Sequence, residues 1–124
     1  MIERTFDYRR ILRLVPWSPV ISRKFYYLIA KGKGKDLGLW SFQPDRDGLR
    51  IHADLGPECR GKDAVESARA AFKWIFENTV NKIIYAGIPE ENKPACLVAS
   101  RAGMKFIRNE NGRRKYEVNH EFCS

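Results

Sequence analysis

The sequence predicts a single α/β domain over residues 1–124, with a central twisted, mixed sheet of about six or seven strands and helices on both faces. Three observations support this fold class. Residues 51–79 have the pattern of a strand, a loop and a long helix. Residues 82–88 are a β-prone run, which a right-handed crossover would set parallel to the earlier strand. Residues 25–55 contain three strand-like runs separated by turns, which predicts an antiparallel meander.

In the last five residues of the strand at the centre of this pattern, apolar and polar residues alternate. Ile51, Ala53 and Leu55 are apolar, and His52 and Asp54 lie between them. Because side chains alternate between the two faces of a strand, His52 and Asp54 are expected on one face. The Gly-Pro pair that follows ends the strand.

A long helix is predicted after the loop, with one apolar face over about four turns. Asp63 is the expected N-cap, and Glu66, three residues later, would complete a capping box. The residues predicted to line the apolar face are Val65, Ala68, Phe72, Ile75, Phe76 and Thr79.

The N-terminal part of the chain predicts a strand over residues 2–6 and a helix capped by Asp7. Pro16 and Pro19 end that helix, and Trp17 between them is expected to plug the core or form the wall of a groove. Strands are predicted over residues 25–30 and 37–42.

The C-terminal part predicts a helix with Pro94 in its first turn and Gly103 as its C-cap. Strands over residues 104–109 and 113–122 flank Asn111-Gly112, a strong hairpin signal. The residues expected on the inner face of the helix are Ala95, Val98, Ala99 and Ala102.

Composition favours a soluble protein of the cytoplasm. No apolar run approaches the roughly 20 residues of a membrane span, and the charged N-terminus does not resemble a signal peptide. Cys59, Cys96 and Cys123 are widely spaced and lack a disulfide or zinc pattern, so they are expected to be reduced thiols with no metal site. Nearby cations could lower the pKa of Cys59.

The formal net charge of +8 favours an acidic partner, which could be a phosphorylated cofactor, a nucleic acid or an acidic protein surface. Basic residues occur at both ends of the chain with tyrosines nearby, but no known nucleic-acid-binding pattern accompanies them. A solvated basic surface and a nucleic-acid face are both compatible with this distribution. Neither the membrane nor a particular oligomeric state is indicated.

Two basic loops are candidates for anion binding. In residues 59–64, Arg60 and Lys62 flank the predicted helix N-terminus, where free backbone N–H groups would attract an anion. The same spacing also fits an ordinary turn with solvated cations. Residues 31–35, KGKGK, lack the Walker pattern, so a flexible cationic hairpin tip is favoured over a phosphate loop.

Residues 49–107 resemble the core of the Gcn5-related N-acetyltransferase (GNAT) superfamily. The shared order is a strand, a phosphate loop of the type R-G-x-G-x-A, a long helix, a second strand, a P-x-x-N segment and another helix. WIFENT, IPEENKPA and AGM further resemble short GNAT-like proteins encoded by tailed phages. The resemblance implies acetyl-CoA in a gap between two splayed parallel strands, and a phage-infected bacterial cell as the setting.

The resemblance also implies a set of cofactor-binding residues. Asn92 matches the asparagine that helps to hold the cofactor arm, although it is equally suited to capping a turn or helix. The residues assigned to acetyl-CoA are Leu55, Cys59, Arg60, Gly61, Lys62, Asp63, Ala64 and Asn92.

Three positions depart from the family pattern. Asp63 stands where a glycine lets the backbone approach phosphate, and Val65 stands where glycine or alanine is usual. A carboxylate beside a pyrophosphate would cost on the order of a few kcal/mol at an effective dielectric of about 20. Ala99 replaces a tyrosine that many relatives use as the general acid. Acetyl-CoA binding is therefore in doubt.

His52 and Asp54 are the best candidates for a catalytic base, because an imidazole beside a carboxylate can relay a proton. A histidine satisfied by neighbouring groups is the structural alternative. Two functions follow from the sequence. The departures favour a non-catalytic binding or virion-assembly factor with a degenerate phosphate loop. Arg60, Gly61 and Asn92 favour an acetyl-CoA-dependent N-acetyltransferase acting on an amine of a small molecule or protein.

Overall fold

The computed structural model describes residues 2–16 and 24–123, so the predicted roles of Trp17 and Pro19 lie outside the described residues. The elements are, in chain order, β1 (Ile2–Arg4), α1 (Tyr8–Leu14), β2 (Tyr26–Gly32), β3 (Lys35–Asp45), β4 (Gly48–Leu55), α2 (Lys62–Asn78), β5 (Ile83–Pro89), α3 (Lys93–Arg101), β6 (Lys105–Glu110), β7 (Arg113–Asn119) and a final 3₁₀ helix (His120–Cys123).

The described strands form one seven-stranded sheet in the order β1-β2-β3-β4-β5-β7-β6. All neighbours are antiparallel except β4 and β5, which are parallel as the crossover through α2 predicted. The mixed α/β fold is therefore confirmed. The β2–β3–β4 meander forms one half of the sheet, and β5, β7 and β6 form the other half.

Helices cover both faces of the sheet and define two apolar cores. The larger core contains the inner faces of α2 and α3, packed on strand residues such as Phe42, Leu49 and Ile84. The smaller core lies under α1, where Ile11 and Val15 pack on Tyr27 and two further strand residues. The predicted apolar face of α2 is confirmed at its centre, because Phe72 and Ile75 are almost wholly buried.

The start of α1 agrees with the sequence, but the start of α2 does not. The Asp7 carboxylate accepts hydrogen bonds from the backbone N–H groups of Arg9 and Arg10, as an N-cap does. In α2 the N-cap is Gly61, and Asp63 lies in the first turn without capping it. Gly61 has φ 54°, a left-handed conformation that glycine adopts readily and that starts the helix two residues early. The predicted capping box was wrong.

Two other boundaries differ from the predicted ones. The C-cap of α3 is Ala102, and Gly103 follows it at φ 106°. The strand predicted over 113–122 ends at Asn119, where the 3₁₀ helix His120–Cys123 begins. The Asn111-Gly112 hairpin is confirmed, since both residues have the positive φ of a type I′ turn.

Candidate functional site

The two parallel strands separate soon after they meet. β4 and β5 pair only at Leu49 with Ile84 and at Arg50 with Tyr85 within the described chain. Beyond these two pairs the carboxyl ends of the strands diverge and leave a groove with a volume of about 390 Å³. The predicted splay is thus present, and the backbone edge of β4 from His52 onward faces the groove.

The groove is mainly apolar, which suits a long, uncharged ligand segment. Phe72 and Met104 are buried beneath it, and the indole of Trp40 is satisfied because its Nε1–H donates to Ser67 Oγ (2.6 Å). The lining residues are Trp40, Ile51, His52, Ala53, Leu55, Ala68, Phe72, Ala86, Gly87, Ile88, Pro89, Asn92, Ala95, Val98, Ala99, Met104 and Arg113.

Asn92 has the capping role that the sequence allowed. Its Oδ1 accepts a hydrogen bond from the Ala95 backbone N–H (3.3 Å) at the N-terminus of α3. Because Oδ1 is used for the cap, the Nδ2 donors remain for other partners, and the side chain lies on the groove wall. Capping and ligand binding are therefore compatible at Asn92.

The predicted phosphate loop lies between β4 and α2, and no side chain caps the N-terminus of α2. Gly56 N–H donates to the Leu37 carbonyl (2.8 Å), and Asp63 N–H donates to the Arg60 carbonyl (3.1 Å). Among the described residues, the N–H groups of Gly61 and Lys62 have no acceptor. These two donors and the exposed Arg60 side chain could bind an anion.

The cofactor-binding residues implied by the resemblance divide into an exposed and a buried group. Arg60, Gly61, Lys62 and Asp63 are exposed at the loop surface. Leu55 is half-buried and lines the groove, and Ala64 is buried in the helix. Because Asp63 is exposed, solvent screens its charge. Its repulsion of a phosphate is therefore weaker than the few kcal/mol expected from the sequence.

The Cys59 thiol does not have the lowered pKa that its basic neighbours suggested. It is only 2% exposed, and burial raises its pKa, with the Asp63 carboxylate raising it further. The nearby Arg60 lowers the pKa by a smaller amount. A buried, protonated thiol is a poor nucleophile, so Cys59 contributes packing to the site.

His52 and Asp54 lie together on one face of β4, as the alternation predicted. The His52 Nε2 atom is 3.5 Å from the Asp54 Oδ2 atom. The His52 side chain is 74% exposed and lines the groove, whereas the Asp54 side chain is 16% exposed. An accessible imidazole held beside a shielded carboxylate can accept a proton from a substrate.

A second cleft, with a volume of about 550 Å³, lies on the α1 side of the sheet. Asp54 lines this cleft, and Ala53 and Leu55 line both the cleft and the groove, so the two cavities meet at the end of β4. The wall of this second cleft includes Asp36, whose carboxylate accepts hydrogen bonds from two nitrogen atoms of the Arg10 guanidinium (3.0 and 3.1 Å). His52 and Asp54 thus stand between two cavities.

Arg113 is a groove residue that sequence reasoning missed. Its Nη1–H donates to the Gly87 carbonyl (3.0 Å) on β5, the strand that pairs with its own strand β7. No sequence pattern marks this contact, because it depends on the pairing of β5 with β7. Ala99, 7% exposed, lies on the groove wall and presents no hydroxyl group there.

A mixed sheet whose central parallel strands part around an apolar groove, with a helix N-terminus at the end of one strand, is the architecture that the resemblance implied. Comparison with solved structures confirms it at the level of fold: the chain has the GNAT acetyltransferase fold. No family model matches the sequence, and no curated protein matches it significantly.

The similar structures include spermidine N-acetyltransferases. A chimera of SpeG from Vibrio cholerae and hSSAT superposes with a TM-score of 0.79 at 12% identity, covering 100% of this chain and 99% of that chain. A SpeG point mutant from the same organism gives 0.78 at 13% identity, covering 100% and 96%. A GNAT-family acetyltransferase from Bacillus anthracis gives 0.63 at 22% identity, covering 79% and 67%. At these identities the similarity is one of fold.

The described residues contain neither a helix with the length and apolar character of a membrane span nor a cluster of three or more potential metal ligands. The resemblance to phage-encoded proteins stays a prediction.

Proposed function

We propose that this protein is an acetyl-CoA-dependent N-acetyltransferase that acts on an amine of a small molecule or protein. One observation carries the proposal: the groove between β4 and β5 meets a second cleft at Ala53 and Leu55, with His52 and Asp54 at the junction. A donor in the groove and an acceptor in the cleft would then meet beside a base.

Acetyl-CoA supplies an acetyl group activated as a thioester. The groove suits its uncharged arm, and the exposed Arg60 and the N–H groups of Gly61 and Lys62 suit its phosphates. Because β4 has no β5 partner beyond Arg50, its backbone edge is free to hydrogen-bond the arm as an added strand would.

His52 acts as the general base for the acceptor amine. Nδ1, the ring nitrogen that does not face Asp54, accepts a proton as the amine nitrogen bonds to the acetyl carbon, and the Asp54 carboxylate beside Nε2 stabilises the resulting imidazolium. When the carbon–sulfur bond breaks, the sulfur atom must gain a proton. Ala99 has no hydroxyl group to donate one, so His52 returns the proton it took, or solvent supplies it. The products are the N-acetylated amine and free CoA.

Isothermal titration of the unmodified protein with acetyl-CoA tests the proposal. We expect a dissociation constant within the range of about 1 µM to 1 mM that is common for enzyme substrates. No binding at millimolar acetyl-CoA would refute the proposal. It would favour the second candidate, a non-catalytic binding or virion-assembly factor, which the Asp63 carboxylate in the first turn of α2 supports.

Removing the Asp63 charge should strengthen the binding of acetyl-CoA. Because Asp63 is exposed, Asp63→Asn should strengthen the binding of acetyl-CoA by about 1 kcal/mol, or about fivefold in affinity. Removing a buried carboxylate would raise the affinity by about a hundredfold. Asparagine also preserves the helix better than glycine would. Glu77→Gln in the last turn of the same helix is the matched control. Equal affinities for Asp63→Asn and the control would show that the carboxylate does not oppose the cofactor.

The two roles of Asn92 can be separated by substitution. Asn92→Ser keeps a capping oxygen for α3 but removes the amide donors, so stability should stay within about 0.5 kcal/mol while affinity for acetyl-CoA falls. Asn92→Ala should lower both, with a loss of about 1 kcal/mol of stability. Urea denaturation and titration measure the two effects. Unchanged affinity in Asn92→Ser would limit Asn92 to capping.

A further inference from the structure

The KGKGK hairpin tip between β2 and β3 lies against the phosphate loop, although the two are more than twenty residues apart in sequence. Two contacts join them. Lys35 Nζ donates to Glu58 Oε1 (2.8 Å), and the Gly56 N–H donates to the carbonyl of Leu37, just after the tip (2.8 Å). Lys35 and, more weakly, Lys33 hold the pKa of Glu58 below its ordinary value.

The tip and the loop enclose a cleft with a volume of about 410 Å³ beside the N-terminus of α2. It shares no lining residue with the groove, but it shares Leu37 and Glu58 with the second cleft, which Lys35 lines. Both basic and acidic side chains reach it. Its lining residues are Lys31, Gly32, Lys33, Leu37, Glu58, Cys59, Asp63, Glu66 and Ser67.

Lys33 and Lys35, the last two lysines of the tip, are available to a ligand. Lys33 is exposed, has φ 53° at the turn, and has no salt-bridge partner among the described residues. The Lys35 and Glu58 side chains are 55% and 53% exposed, so their ion pair is solvated. Lys35 can therefore release Glu58 and bind another anion in its place. Lys31, by contrast, is held by Glu3 (3.0 Å).

The net charge of the phosphate loop shows why it would need the hairpin lysines to bind an anion. Residues 56–67 carry two cations, Arg60 and Lys62, and three carboxylates, Glu58, Asp63 and Glu66, for a net charge of −1. A loop of that charge would repel phosphate groups. Lys33 and Lys35 change the net charge of the combined region to +1, which is favourable to an anion.

We propose that Lys33 and Lys35 form a second anion-binding element that, together with Arg60, holds the phosphate groups of the CoA nucleotide. The inference rests on the proposed function. Lys35 exchanges Glu58 for a phosphate oxygen, and Lys33 binds from the tip of the same hairpin. The hairpin thereby offsets the acidic residues that distinguish this loop from the R-G-x-G-x-A pattern.

The test is calorimetric titration of acetyl-CoA into the full chain and into a double variant, Lys33→Ala with Lys35→Ala. We expect the double variant to lose about tenfold or more in affinity, since two charge-assisted contacts to phosphate are removed. Its affinity for S-acetylpantetheine, which lacks the nucleotide, should be unchanged. The control is Lys73→Ala with Lys105→Ala, two exposed lysines outside the three cavities. It should stay within about threefold of the unmodified protein.

Glu58→Gln distinguishes a phosphate ligand from a structural ion pair. If Lys35 binds phosphate, freeing it from Glu58 should raise the affinity for acetyl-CoA about threefold or more. If Lys35 only fastens the hairpin to the loop, Glu58→Gln should lower the affinity as the lysine variants do. That outcome, or equal affinities for the double variant and the control, overturns the inference and leaves the proposed function standing. Absence of acetyl-CoA binding by the unmodified protein overturns both.

Discussion

Replacing His52 with alanine is expected to lower turnover about a hundredfold or more while leaving the affinity for acetyl-CoA nearly unchanged. The reason is that a general base acts in the transition state and does not contact the phosphates. The 74% exposure of the side chain means that little packing is lost, so thermal stability should also hold. Steady-state kinetics with a panel of amines, together with titration of acetyl-CoA, measures the separation.

His120→Ala is the matched control, because His120 is the other histidine of the chain and is exposed in the 3₁₀ helix. It should leave turnover unchanged. Asp54→Asn should reduce turnover by less than His52→Ala, since it removes the support of the imidazolium and keeps the imidazole. A His52→Ala protein with a lowered thermal midpoint and unchanged turnover per folded molecule would remove His52 from the site.

Replacing Phe72 with alanine is expected to lower the free energy of unfolding by about 3–5 kcal/mol. The ring is 1% exposed and makes an edge contact with the Phe122 ring, with centroids 5.7 Å apart. Lys73→Ala, the next residue on the exposed face of α2, should cost less than about 0.5 kcal/mol. Urea denaturation of both variants measures the difference. Similar midpoints would contradict the placement of Phe72 in the core.

The fold was predictable from the sequence wherever a single periodicity extends over many residues. The alternation that ends at Leu55 and the helical spacing through Phe72 each repeat often enough to identify an element, and both are observed. The start of α2 was not predictable in the same way. Asp63 has the chemistry of an N-cap, but the left-handed conformation of Gly61 starts the helix earlier.

The candidate site was predictable only where its parts are close in sequence. His52 and Asp54 share a face because they are two residues apart on a strand, and His52 Nε2 is 3.5 Å from Asp54 Oδ2. Arg113 and the KGKGK tip reach their positions through strand pairing, β7 with β5 and β3 with β4, and no local pattern encodes that proximity. For the tip, the sequence signals are its run of lysines and the net charge of −1 on residues 56–67, which alone would repel a phosphate.

The short contact between β4 and β5 also has a consequence for how the molecule fluctuates. The antiparallel sub-sheets β1–β4 and β5–β7 are connected by the two residue pairs between β4 and β5. The helices and side chains packed over the sheet therefore hold the two sub-sheets together to a large extent. Backbone amides at the ends of these strands should therefore exchange with deuterium sooner than those of β2 or β3. A molecule that fills the gap would tie the two sub-sheets together, so the thermal stability of the protein should rise with the concentration of that molecule.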